Sequence, residues 1–331
     1  MTSRPLLVIP DDYNDVYDSA PQLAPVRDRC DVRVFTEPHR SLDELVGRMG
    51  DAEMIVANRE RLPLGAPLFD RLPTLRLIAQ TGGGGAHLDV GAATERGILL
   101  AGTAGSGDST VELALGLMLA AMRRIPYGDA ELRAGRWSQF VGRELAGKRL
   151  GVIGLGRIGG QVARVCTALG MVVSAWGPTL TPERALAAGA EYRSLDDLLA
   201  EVDVVSVHLR LVPETHGLLT REKLARLKPS ALFVNTARAA IVDEAALAEM
   251  LRDGRLWGAA LDVFSEEPLP ASHPLVGLSN VVLTPHVGWV SEGSYAQFFA
   301  SIVENLLAYL DGRPIPRLLN PDALARRAAR G

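Results

Sequence analysis

A chain of 331 residues, 47% hydrophobic and 22% charged, is long enough to bury two cores and too apolar to be disordered. A net charge of −4 leaves no electrostatic footprint for nucleic acid or an anionic membrane. The two cysteines, Cys30 and Cys166, lie far apart in sequence and form no metal-ligand cluster, so buried reduced thiols are expected.

The first segment, Met1 to Asp12, has one Arg and then only Leu6-Leu7-Val8-Ile9 before Pro10 and two aspartates. That run is too short for a signal-peptide core and reads as a first strand. Further strands are expected at 32–35, 54–57, 75–79 and 98–101, with helical spacing over Leu42 to Met49. Strands alternating with helices point to a parallel α/β sheet. Gly82-Gly83-Gly84-Gly85 follows directly on one of those strands. It is either a flexible loop or an anion cradle, since its backbone N–H groups stand where open α/β sheets bind ligands. Gly102 to Ser109 reads as a linker into an apolar helix, Val111 to Met122. The apolar run within it is about half a membrane span, so a cytoplasmic protein is expected.

Polar Val141 to Lys148 leads into Lys148 to Gly160, which contains Gly154-x-Gly156-x-x-Gly159 between a short apolar run and a stretch of helical periodicity. Strand, tight glycine turn and helix form the context a dinucleotide-binding fingerprint requires. Gly154 suits the sharp turn, Gly156 lets backbone approach a pyrophosphate, and Gly159 lets the helix lie close to the strand. Beyond it, strands are expected at 172–176, 204–209, 232–235, 258–264 and 281–284, and helices at 182–188, 195–201 and 244–253. A long helical pattern from Ser294 to Leu310 then returns to the first lobe.

Three polar residues follow strands in the second half: Arg238 in Asn235-Thr236-Ala237-Arg238, Glu267 just before Pro268, and His286 in Thr284-Pro285-His286. Each falls past a strand's carboxyl end, on the same sheet edge as the glycine turn. Taken singly, such an Arg is a solvated charge and such a His a packed side chain. A cation, a carboxylate and an imidazole placed together suit carbonyl–alcohol interconversion.

These motifs, with Val207-His208-Leu209, Ile241-Val-Asp-Glu244 and Gly258-Ala-Ala-Leu-Asp-Val-Phe264, make the chain resemble the D-isomer-specific 2-hydroxyacid dehydrogenases over nearly its whole length. The resemblance implies two doubly wound parallel-sheet lobes. A Rossmann-type NAD(P)-binding domain, 102–286, would be inserted in a flavodoxin-like substrate domain, 1–101 and 287–331. It implies hydride transfer between a nicotinamide cofactor and a small 2-ketoacid or D-2-hydroxyacid, with no metal, in a homodimer joined through the Val111 to Met122 helix and its neighbours. Arg238 then binds the substrate carboxylate, His286 is the acid/base, Glu267 partners His286, and the Gly83-Gly84 backbone holds the other side of the carboxylate. Cofactor contacts fall to Gly154, Leu155, Gly156, Arg157, Ile158, Gly159, Trp176, His208, Thr236, Ala237, Asp262 and Gly288. Arg59 is either a further anion contact or a surface charge.

The chain departs from the family pattern in two places. Trp176-Gly177-Pro178-Thr179 replaces the acidic residue that usually binds the ribose hydroxyls, with Arg184 the nearest cation, so NAD and NADP both stay open. Gly85-Ala86-His87-Leu88-Asp89 replaces the usual Val-Asp-Asn-Ile-Asp, and His87 either faces the pocket or bonds its own loop. Tyr295, Phe298 and Phe299 sit at packing spacing, while Trp289 is a candidate pocket cap. A competing reading is a dinucleotide-sensing protein resembling the family's corepressors. Formate oxidation is disfavoured because the family's formate enzymes carry glutamine where this chain has Glu267.

Overall fold

The fold comes from a computed structural model that describes residues 4–85 and 87–328. The chain divides into two units, residues 1–106 with 292–331, and residues 107–291.

In the first unit, β1 (Leu6–Ile9), β2 (Asp31–Val34), β3 (Met54–Ala57), β4 (Leu77–Gln80) and β5 (Leu99–Ala101) form a parallel sheet in the order β2-β1-β3-β4-β5. Strands β3 and β4 are buried along their whole length, as expected of parallel strands covered on both faces. Strand β2 alternates exposed and half-buried residues, as its edge position dictates. The helix Glu292–Leu310 belongs to this unit, and its Tyr295 and Phe299 rings pack on Tyr17. The strand order reverses between β1 and β3. There Asp11 is fully buried and accepts the backbone and side-chain N–H groups of Asn58, both at 2.9 Å, and the Asn58 side-chain oxygen accepts the Tyr17 hydroxyl. Burial pushes the Asp11 carboxyl up to about 7, against those bonds and the Arg61 charge.

In the second unit, β6 (Arg149–Ile153), β7 (Val172–Trp176), β8 (Glu191–Tyr192), β9 (Val204–Val207), β10 (Leu232–Asn235), β11 (Gly258–Leu261) and β12 (Val281–Leu283) make a parallel sheet ordered β12-β11-β10-β9-β6-β7-β8. Its two faces carry separate apolar clusters, one around Phe233, Leu198 and Leu247 and one around Val152, Val162 and Met118. Strands run one way from β6 and then restart on its other side at β9, so the crevice at their carboxyl ends is a topological switch point.

The differences from the expected elements have physical causes. The helix expected from Val111 starts at Asp108, and Val111, Ala114, Leu117, Met118, Ala121 and Met122 are buried in the core of the second unit. Most of its apolar side chains are therefore spent inside the unit, while Leu119 is exposed. Strand β11 ends at Leu261, earlier than its apolar run, and Val263 and Phe264 stay buried after leaving the ladder; β9 ends at Val207, and His208 and Leu209 beyond it are half-buried. The helix Ile125–Arg133 has no buried residue, and β8 is two exposed residues, so neither leaves an apolar signature. The helix Asp322–Ala328 lies in what reads as an Ala/Arg terminus, whose last three residues are outside the described ones. Both cysteines are buried and free, their thiols pushed up to about 11 by burial.

Candidate active site

The glycine turn after β6 shows a distinct constraint at each position. Gly154 has φ +102°, and a Cβ there would stand 2.8 Å from the His208 carbonyl, so only glycine lets the turn press against the end of β9. Its N–H donates to the Trp176 carbonyl at the end of β7, 2.7 Å away. A Cβ on Gly159 would collide with the Gly154 carbonyl, so the helix Arg157–Ala168 packs directly on the turn. Gly156 precedes that helix, and no atom lies within 4 Å of where its Cβ would be. Backbone is thus presented to open space at a helix N-terminus, where an anion finds unpaired N–H groups.

Asn235 shapes the end of β10. Its side-chain oxygen accepts the Ala237 N–H at 2.9 Å, and its side-chain amide donates to the Arg238 carbonyl at 3.1 Å. That clamp fixes the turn carrying Arg238, whose guanidinium donates to the Ala237 carbonyl at 2.6 Å. Between them Thr236 is only 7% exposed, and its hydroxyl has no hydrogen-bond partner among the described residues. A buried hydroxyl left so is costly, and a ligand polar group beside it would satisfy it. Open backbone at Gly156 and an orphaned hydroxyl at Thr236 both fit a bound dinucleotide. His208 bonds the Ser206 hydroxyl at 2.8 Å, and desolvation pushes its imidazole down to about 4.

His286 Nδ1 lies 2.7 Å from Glu267 Oε2, while Glu267 Oε1 accepts the Phe264 N–H at 2.9 Å. Burial works to raise the Glu267 pKa. The hydrogen bond and charge of His286, the Phe264 N–H and the Arg238 charge outweigh it, holding the carboxyl below its usual value. His286 itself has φ +52°, a left-handed conformation that costs energy for a residue with a Cβ. Asp262 anchors the loop in that shape. One carboxylate oxygen accepts the Thr284 hydroxyl at 2.6 Å and the Val287 N–H at 2.9 Å; the other accepts the Gly288 N–H at 2.8 Å. Burial lifts the Asp262 carboxyl above its ordinary value despite these bonds. The Gly288 carbonyl in turn accepts the hydroxyls of Ser109 and Thr110, both at 2.9 Å.

Within the second unit, then, Arg238, Glu267 and His286 all follow the carboxyl ends of parallel strands, together with the glycine turn. Asn235, Thr284 and the Phe264 N–H were not expected as site residues. Only the Asn235-x-x-Arg238 spacing carries a signal for any of them, since an Asx side chain readily bonds backbone two or three residues on.

Gly83, Gly84 and Arg59 belong to the first unit. Arg59 has φ +53°; its N–H donates to the Thr81 hydroxyl at 2.8 Å, and its carbonyl accepts the Gln80 side chain at 2.6 Å. Its guanidinium lies so close to Gly82 that a Cβ there would overlap it. Arg59 and the start of the glycine run therefore form one cluster. The His87 ring packs on its own loop, 3.0 Å from where a Gly85 Cβ would stand, and Asp89 caps the helix Val90–Glu95; Ala86 lies outside the described residues. Tyr295, Phe298 and Phe299 are buried. Among the described residues no cluster of His, Cys, Asp and Glu could hold a metal ion, and no helix is long and apolar enough to cross a membrane.

A seven-stranded doubly wound sheet with a glycine turn at its switch point defines a dinucleotide-binding protein of the Rossmann class. Residues 115–288 match the family described as D-isomer specific 2-hydroxyacid dehydrogenase, NAD binding domain, and the chain belongs to that family. It is 41% identical over 301 residues to the D-3-phosphoglycerate dehydrogenase of Mycobacterium tuberculosis, covering 90% of this chain and 56% of that protein. The chain thus spans a little over half the length of that relative. The glyoxylate reductase of Aeropyrum pernix is 40% identical over 270 residues, covering 78% of this chain and 81% of that protein. A crystal structure of an oxidoreductase from Ralstonia solanacearum superposes with a TM-score of 0.91 at 38% identity, covering 97% of this chain and 98% of that one.

Proposed function

We propose that this protein is an NAD(P)-dependent oxidoreductase interconverting a small 2-ketoacid and its D-2-hydroxyacid. The observation that carries the reading is the 2.7 Å pairing of His286 Nδ1 with Glu267, on the sheet edge that also bears Arg238 and the glycine turn.

A bound nicotinamide supplies the hydride in reduction and receives it in oxidation. In reduction negative charge grows on the former carbonyl oxygen, and protonated His286 delivers a proton there through Nε2, its Nδ1 being engaged by Glu267. Glu267, ionised at neutral pH, stabilises the imidazolium and fixes the ring's orientation. Arg238 takes the substrate carboxylate on its planar fork and so orients the keto carbon. In oxidation neutral His286 accepts the hydroxyl proton. Gly83, Gly84 and Arg59, in the first unit, are proposed substrate contacts, and Arg59→Ala is expected to raise the KM for the ketoacid.

Relatives described as D-3-phosphoglycerate dehydrogenase and glyoxylate reductase put both substrates first in the test. Glyoxylate, hydroxypyruvate and branched and aromatic 2-ketoacids are assayed with NADH and NADPH, and D-3-phosphoglycerate with NAD and NADP, by absorbance. Turnover of at least one substrate is expected. Dinucleotide binding without turnover of any would overturn the reading in favour of a sensing protein.

The partner proposed is a second copy of this chain. The helix Asp108–Met122 buries most of its apolar side chains in the core but leaves Leu119 exposed, and the segment after it adds the exposed apolar side chains that support the proposal: Ile125, Leu132, Trp137 (82% exposed) and Val141 (93%).

A further inference from the structure

Resting on the dinucleotide-binding reading, we propose that the cofactor this chain prefers is the 2′-phosphorylated one, NADP(H), and that Arg184 and Arg210 carry the extra phosphate. Three observations support this.

The end of β7 is where a carboxylate would hold unmodified ribose hydroxyls and repel a 2′-phosphate. Here that stretch is Trp176-Gly177-Pro178-Thr179. The first acid beyond it is Glu183, whose carboxylate is engaged by the Thr181 hydroxyl and its own N–H.

Arg184 does not point away from this loop. Its guanidinium donates to the Thr179 carbonyl at 2.7 Å, which folds the cation back over the end of β7.

Across the glycine turn, β9 ends in His208, whose carbonyl packs on Gly154, and two residues later comes Arg210. Its loop is held rigid by Thr215, only 3% exposed, whose hydroxyl donates to the Arg210 carbonyl at 2.7 Å and accepts the Val212 N–H at 2.9 Å. Strand β6 pairs with β7 on one side and β9 on the other. Neighbouring strands are about 4.8 Å apart, so the flanking loops stand about 10 Å from one another, with the turn between them. Both guanidiniums are exposed, and among the described residues no carboxylate lies within ion-pair distance of either. A phosphate dianion is the partner such a pair fits, because guanidinium forks bind phosphate oxygens bidentately.

The test is calorimetric titration of the protein with adenosine 2′,5′-bisphosphate, AMP, NADP and NAD, with no catalysis involved. The bisphosphate is expected to bind at least about tenfold more tightly than AMP, the size of one charge-assisted hydrogen bond or more. Arg184→Ala and Arg210→Ala should each remove about fivefold or more of that advantage while leaving AMP affinity unchanged. Gly177→Asp should reverse the preference towards NAD. Its Cβ would meet Leu180 Cβ at 3.5 Å and Gly154 Cα at 4.0 Å, ordinary contacts, so the side chain fits. Equal affinity for AMP and the bisphosphate, or arginine variants that weaken both alike, would overturn the inference and leave dinucleotide binding standing. If NAD and NADP both fail to bind, the dinucleotide reading falls and the inference with it.

Discussion

The Asp262 carboxylate holds Gly288 by its N–H at 2.8 Å, and a Cβ on Gly288 would stand 3.0 Å from that same oxygen. The two residues are 26 apart in sequence, yet their contact sets the path of the loop that presents His286. Asp262→Asn replaces one acceptor with an N–H₂ group facing donors. We expect it to lower unfolding stability by about 1–3 kcal/mol, the usual penalty for an unsatisfied buried donor. Turnover should fall more than KM rises, because His286 is misplaced while Arg238 is not. Thr284→Val removes only one donor, at 2.6 Å, and should cost about 1 kcal/mol. Denaturant midpoints and kinetics of both variants check this; an unmoved midpoint for Asp262→Asn would refute the anchoring role.

Glu267 holds the His286 ring through Nδ1 at 2.7 Å. His286→Ala should lower turnover by about 10²–10⁴-fold, the range of a lost general acid–base group, with dinucleotide affinity unchanged. Glu267→Gln keeps a polar partner but removes the charge that stabilises imidazolium. The reduction rate should therefore fall across the pH range, and the acid limb set by protonation of Glu267 should be lost. The wild-type carboxyl sits below its usual value, so its protonation reaches the acid limb only below the ordinary carboxylate range. Initial rates of ketoacid reduction across pH, wild type against variant, give the answer. Superimposable profiles would remove Glu267 from this role.

The parallel strands were legible because β3, β4 and β10 are buried along their whole length and read as continuous apolar runs. The glycine turn was legible because steric need fixes residue type: Gly154 and Gly159 admit no Cβ. What pins the site was less visible. Asp262 reaches residues 22 to 26 positions away, and Asn235 works through backbone groups that any residue type supplies. The helix Ile125–Arg133 escaped notice because it buries nothing.

Asp11 makes the first unit's stability depend on pH. Its carboxyl rises from an ordinary 3.8 to about 7 in the folded chain. Between those values the folded state holds a proton that the unfolded state has released. The stabilising contribution is therefore complete below pH 3.8 and is lost as pH rises through about 7. Asp11→Asn should be less stable at low pH, where its amide N–H₂ faces a donor of Asn58, but should lack this decline. The gap in Tm between wild type and variant should narrow from pH 5 to pH 8. A gap constant across that range would mean Asp11 does not titrate there.

Self-association should depend on Trp137 and Val141, in the segment that follows the helix Asp108–Met122. Burying a large apolar side chain contributes about 1.5–3 kcal/mol, so each of Trp137→Ser and Val141→Ser should raise the dimer dissociation constant by about 10- to 100-fold. Both positions are almost fully exposed within the chain, so the fold of each protomer should be intact by circular dichroism. Leu117→Ala acts differently: Leu117 belongs to the core of the second unit, so that change should lower stability by about 2–5 kcal/mol through the cavity it leaves. Sedimentation equilibrium over a concentration series separates the two behaviours. If wild-type protein stays monomeric at every concentration, or if Trp137→Ser leaves the dissociation constant unmoved, the segment from Ile125 to Val141 is not the dimer surface.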